Sequence, residues 1–187
     1  ESRGLGDVYK RQHPLPETYS PELSPIDGNG EQFDSRASGS LQAMLDKMRE
    51  EGLSPVVCSG YRSRELQQTL FDNRVERCLD EGIAQEDAVE EASRYVAQPG
   101  TSEHELGLAA DIVSENYQLL VEEQENTAEQ QWLMEHCTEY GFILRYPKDK
   151  TDLTGVSYEP WHYRYVGKET AQEIMTQGLC LEEYLKA

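Results

Sequence analysis

The sequence is short of positive charge, because its 187 residues include 17 lysines and arginines against 36 aspartates and glutamates. The formal net charge is therefore -19 at pH 7. Nucleic acids and anionic lipid surfaces are bound by basic faces, and no basic cluster is apparent in this chain. We therefore expect no nucleic-acid partner, and the acidity is typical of a soluble, self-repelling surface.

Long apolar runs are also missing, since none approaches the roughly 20 residues that a membrane span needs. No signal-peptide pattern is visible in the first residues. Apolar residues nevertheless form 37% of the chain and are interleaved with polar ones, which indicates a globular fold rather than disorder. The length favours one domain with a hydrophobic core of its own.

Cysteines are few, and no two of them form a C-x-x-C pair, so a thiolate zinc knuckle is not expected. Cys78 and Cys137 lie in helical patterns beside apolar neighbours, which is typical of small buried side chains. With Cys58 and Cys180 they could also form one or two disulfides, and the sequence leaves this open.

The N-terminal part of the chain lacks hydrophobic periodicity. Residues 1–12 are predicted to be a cloning- or adapter-derived tail, which leaves residues 13–187 as a single domain. Four prolines between His13 and Asp34 predict an extended arm on the domain surface, in which His13 is a solvated linker residue.

Beyond the arm, helices and short strands alternate without a βαβ rhythm, so the α+β class is predicted. Amphipathic spacing indicates helices that begin near residue 41 and after Ser63, and others at 85–97, 128–140, 168–177 and 181–185. Strands are predicted at 55–58, 142–146 and 161–165. The buried face of the second helix is expected to consist of Leu66, Leu70, Val75, Cys78 and Leu79. In the helix 85–97 the inward residues are expected to be Ala88, Val89, Ala92, Tyr95 and Val96.

A loop at residues 99–111 contains two residues that could bind a metal ion, His104 and Asp111. Their spacing of seven would place them on opposite faces of a straight strand. A helix would put them on one face, but Gly100 and Gly107 argue against a helix there. The sequence therefore predicts a bend at Gly107, after which residues 108–111 become a strand and His104 folds back towards Asp111.

A second segment could complete the site, because Glu159 and His162 are separated by a proline that can bend the chain between them. A catalytic zinc usually takes three protein ligands, and a nearby glutamate serves as general base for the attacking water. Arg62, at a strand-to-helix junction, could stabilise the developing oxyanion. By residue type alone, the histidines fit ordinary loop residues equally well, and Arg62 fits a surface ion pair better. His136 is expected to be a packed or half-exposed helix residue.

Three segments together resemble the VanY-type D-alanyl-D-alanine carboxypeptidases. They are Ser59–Ser63, Gly100–Asp111 and Glu159–His162, and the second and third match the family patterns S-x-H-x-x-G-x-A-x-D and E-x-x-H in order. The wider zinc peptidase family includes VanX-type D,D-dipeptidases, L,D-carboxypeptidases and some phage endolysins. The resemblance covers residues 13–187 and implies a small antiparallel sheet flanked by helices, as in Hedgehog-like D,D-peptidases.

The resemblance also implies roles for individual residues. One zinc ion per chain would be bound by His104, Asp111 and His162, with Glu159 as the base and Arg62 against the scissile carbonyl. Ser102 would help to hold the terminal carboxylate of the substrate, and Gln67 would line the same pocket.

The expected function is that of a zinc-dependent D,D-carboxypeptidase that removes the terminal D-alanine from peptidoglycan stem peptides. Such an enzyme would work in the bacterial cell envelope or outside the cell. The alternatives are an L,D-carboxypeptidase or endopeptidase of the same fold, or a zinc-containing wall-binding module without turnover. The glutamate at position 159 argues against the last, because a binding module needs no general base.

Overall fold

The computed structural model describes residues 14–186, so the predicted tail at 1–12 and His13 lie outside the described residues. The strands are β1 (Leu23–Pro25), β2 (Gln32–Asp34), β3 (Pro55–Ser59), β4 (Ala109–Ser114), β5 (Phe142–Leu144) and β6 (His162–Tyr165). The helices are α1 (Ser38–Glu50), α2 (Arg64–Asp80), α3 (Gln85–Ala92), α4 (Ala128–His136), α5 (Thr151–Thr154), α6 (Lys168–Thr176) and α7 (Leu181–Lys186).

A four-stranded sheet in the order β3-β4-β6-β5 forms the centre of the fold, and all its neighbouring strands are antiparallel. A separate antiparallel pair joins β1 to β2. Strand β4 is the best shielded, because all six of its residues are buried. The prediction of an α+β fold with a small antiparallel sheet flanked by helices is confirmed.

The main core lies between this sheet and helix α1, whose predicted stripe of apolar residues is fully buried. Its members from α1 are Leu41, Met44, Leu45 and Met48, and they pack with sheet residues such as Val57, Ile112 and Tyr163. A spacing of three and four residues aligns such side chains on one helix face, so the helix stands with that face on the sheet.

The N-terminal arm is more than a surface wrapping, and that prediction was wrong for its second half. Ile26 and Phe33 are 1% and 0% exposed and belong to the main core. The β1–β2 pair allows this, because it supplies hydrogen-bond partners that a single extended arm would lack. The backbone N–H of Asp34 also donates to the carbonyl of Gly107 at 2.8 Å, which attaches the arm to the predicted bend.

The predicted buried faces of α2 and α3 were partly wrong. Leu66 and Leu79 are 46% and 40% exposed, and Val89 and Tyr95 are 46% and 63% exposed. These two helices pack against each other around a small cluster formed by Phe71, Cys78, Ala88 and Ala92. Because a helix pair of this kind buries only a narrow stripe on each partner, the outer leucines of the predicted stripe remain in solvent.

Several element ends also differ from the prediction. Helix α3 ends at Ala92, and the helix predicted at 128–140 is α4 followed by a 3₁₀ turn at Cys137–Tyr140. His136 is 34% exposed in its side chain, as predicted. All four cysteines are free thiols, so the open question of disulfides is answered. Within the described part of the chain, no helix combines the length and the apolar character that a membrane crossing requires.

Candidate metal and catalytic site

The bend predicted at Gly107 is present, but the segment before it is a short helix rather than an open loop. Glu103–Leu106 form a 3₁₀ helix that Gly107 ends in a left-handed conformation with φ of 78°. Ser102 begins it, because its hydroxyl accepts from the N–H of His104 at 3.3 Å, while the Glu105 carboxylate accepts from the N–H of Ser102 at 3.2 Å. Four residues are too few for a helical pattern to be visible in the sequence.

The sheet register brings the two motifs together. Asp111 on β4 lies directly opposite His162 on β6, so their side chains are cross-strand neighbours. The Asp111 Oδ1 atom is 3.1 Å from His162 Nδ1 and 3.3 Å from His104 Nε2. One ligand atom from each of the three residues lies within 4.8 Å of the others, and all three residues are buried. The structure therefore assembles the predicted ligand set.

In each imidazole, the ring nitrogen that does not contact Asp111 lies within hydrogen-bond distance of another oxygen atom. The Nδ1 of His104 lies 2.8 Å from the carbonyl of Gly60, and the Nε2 of His162 lies 3.2 Å from Glu103 Oε2. A carbonyl can only accept, so Nδ1 of His104 carries a proton and its Nε2 can offer a lone pair to the cluster. Metal-binding histidines are usually oriented in this way, and two imidazoles with one carboxylate are a donor set that suits zinc.

The charges around Asp111 keep it ionised. Burial alone would raise the pKa of this carboxyl, but the neighbouring rings of His104 and His162 hold the pKa well below its usual range. Burial lowers the pKa of His104, whereas hydrogen bonds to Asp111 and Glu103 overcome the burial of His162 and raise its pKa to about 9. The site thus keeps one carboxylate ionised between two imidazoles, and all three groups can donate to a divalent cation.

Glu159 lies next to this cluster and is more accessible than its members. Its Oε2 atom is 3.6 Å from His162 Nδ1, and its side chain is 26% exposed against 6% for His162. Burial raises the pKa of Glu159 to about 7. A tight turn at Pro160 produces this proximity, since the N–H of His162 donates to the carbonyl of Glu159 at 3.2 Å. The predicted bend between the two residues is therefore present.

Arg62 also belongs to the site and is not the surface ion pair that its residue type alone favours. Its guanidinium donates to Ser59 Oγ at 2.9 Å, to Gln67 Oε1 at 3.3 Å and to Asp111 Oδ2 at 3.4 Å. The side chain keeps 20% of its surface exposed. Three acceptors on one guanidinium fix its orientation, and the exposed part of the side chain can be reached by a bound molecule.

The remaining predicted residues, Ser102 and Gln67, form hydrogen bonds with other groups of the protein. Gln67 is fully buried, and its amide also donates to the carbonyl of Ala97 at 2.8 Å. It accepts a hydrogen bond from Arg62 and so supports that side chain, and its role towards a substrate stays a prediction. Ser102 is 5% exposed and caps the 3₁₀ helix that contains His104. Its role towards a substrate carboxylate stays a prediction.

A buried ionic network behind His162 was missed by the sequence reasoning. Glu103 is 3% exposed, and its Oε1 atom accepts from Arg145 Nε at 2.6 Å and from Arg164 Nη1 at 2.8 Å. Burial acts against its ionisation, but the two arginines lower the pKa of Glu103 well below the usual value. The available signal was an arginine within or directly after two otherwise buried strands, Arg145 and Arg164.

An aromatic residue that the sequence reasoning also passed over packs against the site. The ring of Tyr146 lies 4.8 Å from that of His162, and its carbonyl accepts from the N–H of Glu159 at 3.1 Å. Tyr146 therefore contacts both Glu159 and His162. Its ring limits the space in which the His162 ring can tilt.

Comparison with known proteins identifies the family. A profile of VanY, described as D-alanyl-D-alanine carboxypeptidase, matches residues 30–168. A D-alanyl-D-alanine carboxypeptidase of Enterococcus faecalis is 49% identical over 178 residues, which cover 95% of this chain. The match spans 64% of the length of that relative.

Solved structures share the fold. VanYB in complex with D-alanine-D-alanine is 46% identical with a TM-score of 0.86, and 98% of each chain is covered. A variant of the VanB-type D,D-pentapeptidase VanY, solved in complex with Zn(II), has a TM-score of 0.85 and 46% identity, covering 98% of this chain and 99% of its own. The LD-carboxypeptidase LdcB is 38% identical with a TM-score of 0.84, covering 96% of this chain and 84% of its own. The profile and the identity to these relatives assign this chain to the VanY family of D-alanyl-D-alanine carboxypeptidases.

Proposed function

We propose that this chain is a zinc-dependent D,D-carboxypeptidase that removes the C-terminal D-alanine from peptidoglycan stem peptides. The observation that carries the proposal is that the side chains of the site differ in their exposure to solvent. The three metal-binding candidates are buried, whereas Glu159 and Arg62 keep 26% and 20% of their side chains exposed. The groups suited to proton transfer and to charge stabilisation are therefore those that a substrate would meet.

Each residue has a defined part in the proposed reaction. His104, Asp111 and His162 would hold one zinc ion, which supplies a Lewis acid and lowers the pKa of a water molecule. Glu159 takes the proton of the attacking water and passes it to the leaving amine. A cation bound there would lower the pKa of this carboxyl below about 7, because nearby positive charge favours the carboxylate.

Arg62 stabilises the charge that develops on the scissile carbonyl oxygen. Its guanidinium is already oriented by Ser59, Gln67 and Asp111, so little reorganisation accompanies the reaction. In a chain of formal charge -19, a substrate that ends in a carboxylate also needs a local positive region. Arg62 provides part of it, and the hydroxyl of Ser102 is proposed to bind the same carboxylate.

The partner that follows from this function is a stem peptide ending in D-alanine. VanYB was solved with D-alanine-D-alanine, and this chain is 46% identical to it, which supports the same class of ligand here. We propose that the protein acts on the cell wall, in the envelope or outside the cell, as one catalytic domain at residues 13–187.

An L,D-carboxypeptidase is the second candidate, because LdcB shares 38% of the sequence and a TM-score of 0.84 with this chain. The two activities need the same metal site and differ only in the walls that contact the peptide. A stem pentapeptide that ends in D-alanyl-D-alanine and a stem tetrapeptide should therefore be assayed side by side for D-alanine release. The proposal predicts faster release from the pentapeptide, and preferential cleavage of the tetrapeptide would replace it with the L,D assignment.

The same assay separates an enzyme from a wall-binding module. Release from the pentapeptide should cease after chelation and return when zinc is restored. Binding of the peptide without release of D-alanine, in the zinc-loaded protein, would identify a non-catalytic module. Activity that survives both chelation and the change Glu159→Ala would contradict a zinc-dependent mechanism with Glu159 as the base.

A further inference from the structure

We propose that Glu103 is a positioning residue that decides which nitrogen His162 presents to the metal site. We further infer that Glu103 is itself held by an ionic network that reaches the C-terminal helix α7. The inference rests on the proposed function, because it takes His104, Asp111 and His162 as metal ligands. It gives a role to residues other than these three ligands, the proposed base Glu159 and Arg62.

The two oxygens of Glu103 have separate partners. Oε1 accepts from Arg145 Nε at 2.6 Å and from Arg164 Nη1 at 2.8 Å. Oε2 lies 3.2 Å from Nε2 of His162. The arginines occupy one oxygen, so the carboxylate is held in one orientation and the other oxygen faces the imidazole.

The strand geometry makes this arrangement specific. His162 and Arg164 are two residues apart on β6, so their side chains leave the same face of the sheet. Arg145 follows β5, and its N–H donates to the carbonyl of His162 at 3.1 Å. Glu103 contacts all three from the first position of the 3₁₀ helix Glu103–Leu106, which Gly107 ends two residues before β4. The network therefore shares two segments with the metal site, the 3₁₀ helix and β6, and adds the residue that follows β5.

The consequence for His162 follows from hydrogen-bond chemistry. Each of its nitrogens faces a carboxylate, with Nδ1 at 3.1 Å from Asp111 Oδ1 and Nε2 at 3.2 Å from Glu103 Oε2. A metal ion needs one nitrogen without a proton. Glu103 retains the proton on Nε2, so Nδ1 is the atom that becomes free to bind the metal. Without Glu103 the ring could keep its proton on Nδ1 and block the site.

The network continues to the end of the described chain. The Nη1 and Nη2 atoms of Arg145 donate to the two oxygens of Glu182 at 2.9 and 2.7 Å. Glu182 lies at the start of α7, so this helix is tied to the metal site through Arg145 and Glu103. Two carboxylates and two guanidiniums balance in charge, which is the condition under which such groups are tolerated in a buried position.

The test is the zinc dissociation constant of folded variants, measured by competition with a chromogenic chelator. Glu103→Gln removes the charge that holds the imidazole proton, and it should weaken zinc binding about 10- to 100-fold. Glu182→Gln leaves Glu103 in place and should have a smaller effect. Glu129→Gln is the matched control, because Glu129 is also buried at 7% exposure but lies on α4, outside the network.

Zinc binding by the wild-type chain is measured first, so failure of the proposed function is recognised separately. If the wild type binds zinc and a folded Glu103→Gln variant binds it within twofold as tightly, the inference alone is overturned. A loss of thermal stability without a change in zinc affinity would also overturn it, since that is the signature of a merely structural role.

Should Glu103→Gln fail to fold, nitrogen NMR of the zinc-loaded wild type decides the question. The inference predicts a protonated Nε2 and a metal-bound Nδ1 on His162. A protonated Nδ1 on this ring would contradict it, whatever the behaviour of the variants.

Discussion

Glu159 is the single residue on which the proposed chemistry depends most. It is 3.6 Å from His162 and makes no part of the buried ligand triad, so its replacement should leave the metal site intact. We expect Glu159→Gln to lower kcat about 10²- to 10⁴-fold, the usual effect of losing a general base. Zinc content, measured by elemental analysis, should stay at one ion per chain. A variant that lost its zinc instead would show that Glu159 acts as a ligand.

A second prediction concerns Arg62, whose planar guanidinium donates hydrogen bonds to three acceptors at once. Lysine cannot reproduce that geometry although it keeps the charge. Arg62→Lys is therefore expected to reduce kcat about 100-fold while KM changes little, since the lost interaction belongs to the transition state. Steady-state kinetics on the pentapeptide would measure this. A rise in KM at unchanged kcat would assign Arg62 to ground-state binding of the substrate instead.

The family motifs predicted the side chains of the site but not the groups that surround them. Two histidines, an aspartate and a glutamate at family spacing could be predicted from the sequence. Glu103 could not, because a glutamate in a chain with 36 acidic residues reads as solvated surface. Only the fold shows that two buried arginines, Arg145 and Arg164, surround it. Long-range ion pairs of this kind leave no local pattern in a single sequence.

At the scale of elements, the turn at Gly107 fixes the approach of His104 to Asp111. Gly107 has φ of 78°, and an added Cβ would lie 3.2 Å from the Asp34 nitrogen. Gly107→Ala should therefore cost about 2 to 3 kcal/mol of unfolding free energy and weaken zinc binding. The matched control is Gly155→Ala, with φ of 73° and open space around its Cβ, at about 1 kcal/mol. Equal losses in denaturant titrations would show that the close contact is unimportant.

Local patterns predicted the elements that bury a whole face and failed for those that do not. The whole apolar face of helix α1 is buried in the core, as the spacing of its leucines and methionines indicated. Helix α2 does not, because it packs mainly on α3 and leaves Leu66 and Leu79 in solvent. The β1–β2 pair was missed because three-residue strands among prolines carry too little periodicity to be recognised.

For the whole molecule, a metal that binds only the folded chain must stabilise it. We expect zinc at about 100 times its dissociation constant to add about 2.7 kcal/mol, which corresponds to a rise in Tm of about 5 to 10 °C. Differential scanning calorimetry of the metal-free protein, with and without zinc, would measure the rise. Magnesium is the control, because it prefers oxygen ligands in octahedral geometry and should have little effect.

The most direct test of the central claim is a crystallographic anomalous difference map recorded at the zinc absorption edge. The account predicts one peak per chain, within bonding distance of His104 Nε2, His162 Nδ1 and the Asp111 carboxylate, in crystals of protein that releases D-alanine. An active protein with no peak at these atoms, or with its zinc bound elsewhere, would contradict it.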